Sequence, residues 1–65
     1  MNLKVLTIET VMAERGMTQA MLAKSSGISK QSICTILRRG TCVPRNAGKL
    51  AAGLGVPVVE IVEGR

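Results

Sequence analysis

Apolar residues recur along this chain at spacings of three and four, and each such stretch is followed by a glycine. Residues three or four apart share one face of an α-helix, so this spacing predicts helices with one buried face. Gly16, Gly27, Gly40 and Gly55 follow the stretches and are expected to end them. The pattern predicts an all-α fold, a compact bundle of about five short helices. Its expected core positions are Ile8, Val11, Met12, Leu22, Ala23, Ile33, Ile36, Leu37, Ala47, Leu50, Ala51 and Leu54.

Small hydroxyl residues and a proline predict where the helices begin. Thr7 is expected to cap the first helix, with Leu6 and Val11 forming a hydrophobic staple across the cap. Thr18 and Ser29 are expected to cap the second and third helices. Pro44 suits the first position of the fourth helix, because its missing N–H has no partner there.

The sequence leaves the conformation of both ends of the chain open. Residues 2–6 are compatible with an extension of the first helix or with a short strand. After Gly55, Pro57 can open a last short helix containing Val58, Ile61 and Val62. The same residues are β-branched, so a strand that pairs with residues near Val5 is an open alternative.

The third predicted helix has two chemically different faces. Ile33, Ile36 and Leu37 share one face and are expected to point into the core. Gln31 and Thr35 lie on the opposite face together with Arg38. Gly27 permits a sharp turn before this helix, and the small Ala23 lets it pack closely on the second helix. The polar face is therefore expected to be free for contact with another molecule.

Composition excludes several classes of function. With 65 residues the chain is expected to form one domain spanning residues 1–65. It contains no Phe, Trp or Tyr, which argues against a protein that binds single-stranded nucleic acid by stacking bases on aromatic side chains. It also contains no His, which argues against His-based catalysis or metal binding. We expect no enzyme, no metal and no cofactor.

Two further features concern the compartment. Cys34 and Cys42 are expected to be free thiols that act as small packing residues in a reducing environment. The N-terminal residues lack a secretory apolar core, and the apolar stretch 50–59 is too short and too interrupted to span a bilayer. These features predict a cytoplasmic protein.

The charge of +5 is concentrated in the middle of the chain. Glu9, Glu14, Glu60 and Glu63 are the only acidic residues, so the segment between Arg15 and Val59 is basic without interruption. Such a segment provides the phosphate neutralisation that DNA binding requires. Membrane surfaces and acidic proteins would attract it as well, so the charge alone does not decide between them.

Several short motifs, taken together with their spacing, indicate a family. The chain resembles the phage Cro and repressor family, also called Xre-like regulators, from about Thr7 to Val62. The resemblance lies in Arg15-Gly16-Met17-Thr18-Gln19, Gly27-Ile28-Ser29, Ile33, Arg39-Gly40 and Leu54-Gly55-Val56. It implies a helix-turn-helix fold like that of the lambda repressor DNA-binding domain, in which the third helix enters the major groove.

The resemblance also implies roles for individual residues. The base-contacting residues would be Ser29, Lys30, Gln31 and Thr35. The phosphate-contacting residues would be Thr18, Gln19, Arg38, Arg39, Thr41 and Arg45. This division agrees with side-chain chemistry, because Gln can bond bidentately to adenine and Lys can donate to guanine.

These observations predict a transcriptional regulator that binds double-stranded DNA at a two-fold operator as a homodimer. We expect it to be a repressor. We expect the C-terminal apolar residues Val58, Val59, Ile61 and Val62 to form the dimer contact. The alternative is an antitoxin-type module that binds a partner protein and also represses its own operon.

Overall fold

Four α-helices joined by short turns account for most of the fold. The computed structural model describes residues 1–63 and contains α1 (Val5–Glu14), α2 (Gln19–Ser26), α3 (Lys30–Arg39) and α4 (Pro44–Leu54). A single 3-10 turn follows at Val58–Glu60. The all-helical class is confirmed, and the expected fifth helix is reduced to this one turn. Within residues 1–63, no helix has the length and apolar composition needed to cross a membrane.

The local signals around α2 and α3 are confirmed. The Thr18 hydroxyl accepts a hydrogen bond from the Met21 N–H at 3.1 Å, and the Ser29 hydroxyl accepts one from the Ser32 N–H at 3.1 Å. Gly27 follows α2 in the left-handed conformation, with a φ of 77°. Gly40 ends α3 in the same way, and Pro44 is the first residue of α4. Each signal acts within one helical turn and needs no distant partner.

The expected start of α1 is wrong. The helix begins at Val5, its N-cap position is Lys4, and no side chain caps it. Thr7 therefore lies inside the helix. The staple is also wrong, because Leu6 is 77% exposed. The cause is the segment before the helix, which is held in extended form up to Lys4 by bonds to distant parts of the chain.

The N-terminal segment is extended and pairs with the C-terminal tail, which defines the conformation of both ends of the chain. Residues 1–4 lie between residues 40–42 and 61–63 and pair with both in antiparallel fashion, through isolated bridges Asn2 to Thr41 and Leu3 to Val62. The Leu3 N–H donates to the Gly40 carbonyl at 2.8 Å, and the Lys4 N–H donates to the Ile61 carbonyl at 2.7 Å. The C-terminal tail thus forms a 3-10 turn at Val58–Glu60 and then pairs with the N-terminal segment. Both the short helix and the strand pairing expected for the tail are therefore present in part. Within residues 1–63, the pairing does not extend beyond these isolated bridges into a longer strand.

This pairing changes the role expected for the C-terminal apolar residues. Ile61 is fully buried and Val62 packs against the core. Ile61 is therefore not available for a dimer contact, which corrects that part of the expectation, and Val62 is only partly exposed. Val58 and Val59 remain exposed, at 38% and 70%.

The core lies where α4 meets the other helices. Its fully buried large side chains come from every helix and from the tail: Ile8, Leu22, Ile33, Leu50, Leu54 and Ile61. Ser26 of α2 and Gly53 of α4 lie close together where the two helices cross. An ideal Cβ at Gly53 would lie 2.8 Å from the Ser26 Cβ. Only glycine fits this crossing without a shift in the backbone.

The two cysteines differ in their environments. Both are free thiols, and Cys42 packs against the core as expected. Desolvation by burial raises the pKa of the Cys42 thiol, while the nearby N-terminal ammonium acts in the opposite direction. Cys34 is exposed on α3, so the expectation that it packs is wrong. It lies one residue beyond Ile33 and hence off the buried face of the helix.

Candidate nucleic-acid interface

The inner face of α3 is fixed firmly to the body of the protein. Ile33 is fully buried and Ile36 is 7% exposed. Ile28 is buried in the turn before the helix, and its N–H donates to the Ser26 hydroxyl at 3.2 Å. These contacts hold both the start and the middle of α3. The opposite face of the helix therefore has a fixed position relative to the core.

The outer face of α3 presents polar side chains on successive turns. Gln31 and Arg38 are exposed and Thr35 is half-buried between them. Lys30 is exposed at the first position of the helix. An α-helix is about 10–12 Å wide with its side chains, close to the width of the DNA major groove. The dimensions and the polarity of this face suit insertion into that groove.

An open depression of about 320 Å³ lies between α3 and the first turn of α4. It is lined by Gln31, Ser32, Thr35, Ile36 and Asn46. The structure thus brings together two of the four residues expected to contact bases, and it adds Asn46, which the sequence did not indicate. The only available signal was Pro44, which places Asn46 in the first turn of α4. Nothing in the sequence places that turn beside the outer face of α3.

Ser29 is occupied by its structural role. Its hydroxyl accepts from the Ser32 N–H and donates to the Ser32 hydroxyl at 2.9 Å. One lone pair of the oxygen is left for any further contact. The main role of the Ser29 side chain in this geometry is to cap α3. A contact between this side chain and a base would compete with its two hydrogen bonds to Ser32.

Thr18 and Gln19 lie apart from the depression. Thr18 is exposed at the start of α2, where its hydroxyl proton is left to donate after the oxygen has accepted the Met21 N–H. Gln19 is half-buried in a second depression of about 240 Å³. That depression lies between α1, the start of α2 and the later part of α3. Its other lining residues are Glu9, Met12, Ala13, Met17 and Leu37.

The remaining expected phosphate contacts are on the surface. Arg38 and Arg39 form the last turn of α3, and Thr41 follows it with its backbone paired to Asn2. Arg45 lies in the first turn of α4. All four side chains are exposed. The cations thus lie at the end of α3 and at the start of α4.

Arg15, the first cation of the basic segment, lies elsewhere. Its Nη1 is 3.0 Å from the position of an ideal Cβ on Gly55, which caps the C-terminal end of α4. Arg45 is at the opposite end of that helix. Ten helical steps separate the two ends by about 15 Å. The basic segment is therefore not a single patch, and Arg15 is positioned to interact with the negative end of the α4 dipole.

Acidic side chains are confined to other elements. Glu9 and Glu14 are on α1, Glu60 is in the 3-10 turn, and Glu63 follows it. The helices α2, α3 and α4 carry none. Within residues 1–63, no three Cys, Asp or Glu side chains come close enough to hold a metal ion. The face formed by α3 and the start of α4 is accordingly electropositive.

No family model, no curated protein and no solved structure matches this chain.

Proposed function

We propose that this protein is a sequence-specific double-stranded DNA-binding transcriptional regulator of the Cro and repressor type, acting as a repressor in the cytoplasm. In this proposal, α2, the turn at Gly27 and α3 form a helix-turn-helix, and the outer face of α3 enters the major groove. One observation carries the proposal: the outer face of α3 is polar and basic, while Ile33 and Ile36 fix its inner face to the core.

Base recognition falls to the first half of α3. Gln31 is exposed there and can both donate to and accept from adenine through its carboxamide. Lys30 is exposed one residue earlier and can donate to the O6 and N7 of guanine. Thr35 lies one turn further on. Because Ser29 is committed to its cap, its contribution is to set where α3 begins.

Phosphate contacts come from both sides of α3. Arg38, Arg39, Thr41 and Arg45 would hold the backbone beyond the later part of the helix and at the start of α4. Thr18 would donate to a phosphate from the start of α2. Gln19 is the weakest of these candidates, since it shares its depression with Glu9, whose negative charge disfavours a phosphate there.

The proposed active form is a homodimer on a two-fold operator. Val58 and Val59 are adjacent, apolar and exposed in the tail, and a contact between two copies there would remove their side chains from water. A contact between two copies through a two-fold axis would relate their α3 helices by the same symmetry that relates the half-sites of a two-fold operator. Two recognition helices separated by one DNA turn read half-sites about 10–10.5 base pairs apart.

Selection of bound duplexes from a random DNA pool tests the proposal. We expect a palindromic consensus whose half-sites have that spacing. The matched control is Gln31→Ala combined with Thr35→Ala, which alters only the outer face of α3 and should enrich a different or weaker consensus. Recovery of no consensus by the unaltered protein, or the same consensus by both proteins, would contradict reading by α3.

A further inference from the structure

The depression between α3 and α4 has an apolar base and a polar rim. Ile36 is buried and Thr35 is half-buried, and both carry methyl groups. Gln31 and Ser32 are exposed at the edge, and Asn46 is half-buried on the α4 side. Its volume of about 320 Å³ exceeds that of a few water molecules. It can therefore receive one edge of a planar group that is partly apolar and partly hydrogen-bonding.

Asn46 supplies the hydrogen-bonding group on the α4 side. Its backbone N–H is already used, since it donates to the Val43 carbonyl at 3.0 Å. Its side-chain carboxamide is what it can offer a ligand, with two donors on Nδ2 and two lone pairs on Oδ1. Arg45 precedes it and Lys30 precedes Gln31, and both cations are exposed. No acidic side chain lines the depression, so its surroundings favour a ligand attached to a polyanion.

We infer that this depression binds the major-groove edge of a thymine, an inference that rests on the proposed function. The thymine C5 methyl group would lie against Ile36 and Thr35, and its O4 would accept a hydrogen bond from Asn46 Nδ2. Asn46 is then a further specificity-determining residue. It reads a base from α4, next to the position read by Gln31.

The other bases fit this arrangement less well. The C5 methyl of thymine is the one apolar group that an unmodified base pair presents in the major groove. Cytosine has a hydrogen there and presents an amino donor instead of the O4 acceptor. Adenine and guanine present N7 and their exocyclic groups, and neither places a methyl group over the apolar base of the depression.

Removal of single methyl groups from the DNA tests the inference. With the intact chain and its preferred duplex, each thymine is replaced in turn by deoxyuridine, which removes the methyl group and keeps O4. We expect about a fourfold loss of affinity at one thymine in each half-site, the factor that corresponds to burial of one methylene-sized group. The thymines at all other positions are the internal control and should give no loss. Equal affinity for every substituted duplex would overturn the inference.

Two variants assign the effect to the protein side. Thr35→Ser keeps the hydroxyl and removes the methyl group, so the penalty for uracil should shrink at that one thymine. Asn46→Asp replaces the donor by an acceptor and should change the preference at that position from thymine to cytosine. An unchanged uracil penalty in the first variant and an unchanged thymine preference in the second would overturn the placement in this depression.

The outcome also separates this inference from the proposed function. A defined consensus without a methyl effect leaves duplex reading by α3 intact and refutes only the thymine site. Failure of the unaltered protein to bind any duplex refutes the proposed function and the thymine site together.

Discussion

Gly53 of α4 lies against Ser26 of α2 so closely that an ideal Cβ on the glycine would be 2.8 Å from the Ser26 Cβ and 3.0 Å from its backbone nitrogen. Ser26 is buried, and its hydroxyl accepts the Ile28 N–H in the turn that leads to α3. The same crossing therefore fixes α4 to α2 and, through Ser26, fixes the start of the proposed recognition helix.

Gly53→Ala should lower the free energy of unfolding by up to about 2 kcal/mol. The added methyl group forces the helices apart at a cost of about 1–3 kcal/mol, and the gain in helix propensity offsets about 1 kcal/mol of that cost. Gly48→Ala is the matched control, because a Cβ at Gly48 meets nothing within 4 Å and the same helix carries both residues. It should stabilise the protein. Denaturant titration measures both, and equal stabilisation by the two substitutions would show that the crossing is not tight.

Ser26→Ala should cost about 1–3 kcal/mol, because it leaves the buried Ile28 N–H without an acceptor. Ser25→Ala is the neighbouring control. Ser25 is exposed, and its one hydroxyl proton is shared between the carbonyls of Leu22 and Gly53. Water can take the place of this hydroxyl as a donor to either carbonyl. Its loss should cost less than about 1 kcal/mol. A larger cost for Ser25→Ala than for Ser26→Ala in the same titration would refute this account of the turn.

Val59→Gln should weaken self-association while leaving the unfolding free energy nearly unchanged, because Val59 is 70% exposed in the single chain. Leu6→Gln is the control, since Leu6 is equally apolar and 77% exposed but lies on α1. Analytical ultracentrifugation over a range of concentrations measures the association. If Leu6→Gln dissociates the dimer and Val59→Gln does not, the contact is on α1. Truncation after Gly55 is a poor test, since it also removes the buried Ile61.

Duplex binding should be strongly salt-dependent. Phosphate contacts by Arg38, Arg39 and Arg45 in each of two subunits would give about six in total, and six contacts imply a loss of about 10³-fold between about 50 and 200 mM salt. Fluorescence anisotropy with labelled duplex measures this loss. Arg15→Ala is a useful comparison, because Arg15 lies beside Gly55 and not at the candidate interface, so it should leave the slope unchanged. A loss of only a few-fold for the unaltered protein would contradict the phosphate contacts.

The features of the fold that could be predicted are those determined within a few residues. Thr18 and Ser29 cap their own helices, and Gly27 and Gly40 end them, so the chain near each residue contains the whole cause. The spacing of the core residues of α4 depends only on helical geometry. These local signals were sufficient to define α2, α3 and α4, and hence the polar face with Gln31 and Thr35.

The features that could not be predicted depend on distant contacts. The start of α1 is set by pairing of residues 1–4 with residues 40–42 and 61–63. The same pairing buries Ile61 and removes it from the expected dimer contact. Nothing in the residues around Gly53 indicates its role, which appears only where α2 crosses α4. Asn46 joins the candidate site because the first turn of α4 lies beside α3.

In the proposed DNA complex, the first half of α3 reads bases and its last turn holds the backbone. The most direct test is the affinity of Gln31→Ala and Arg38→Ala for the preferred duplex, its single-base variants and unrelated DNA at several salt concentrations. Gln31→Ala should lose about 1–3 kcal/mol on the preferred duplex and relax discrimination at one position in each half-site. Arg38→Ala should weaken binding to all sequences alike and reduce the salt slope by about one unit for each lost contact. An equal loss on every sequence for Gln31→Ala, together with an altered base preference for Arg38→Ala, would contradict this placement of α3.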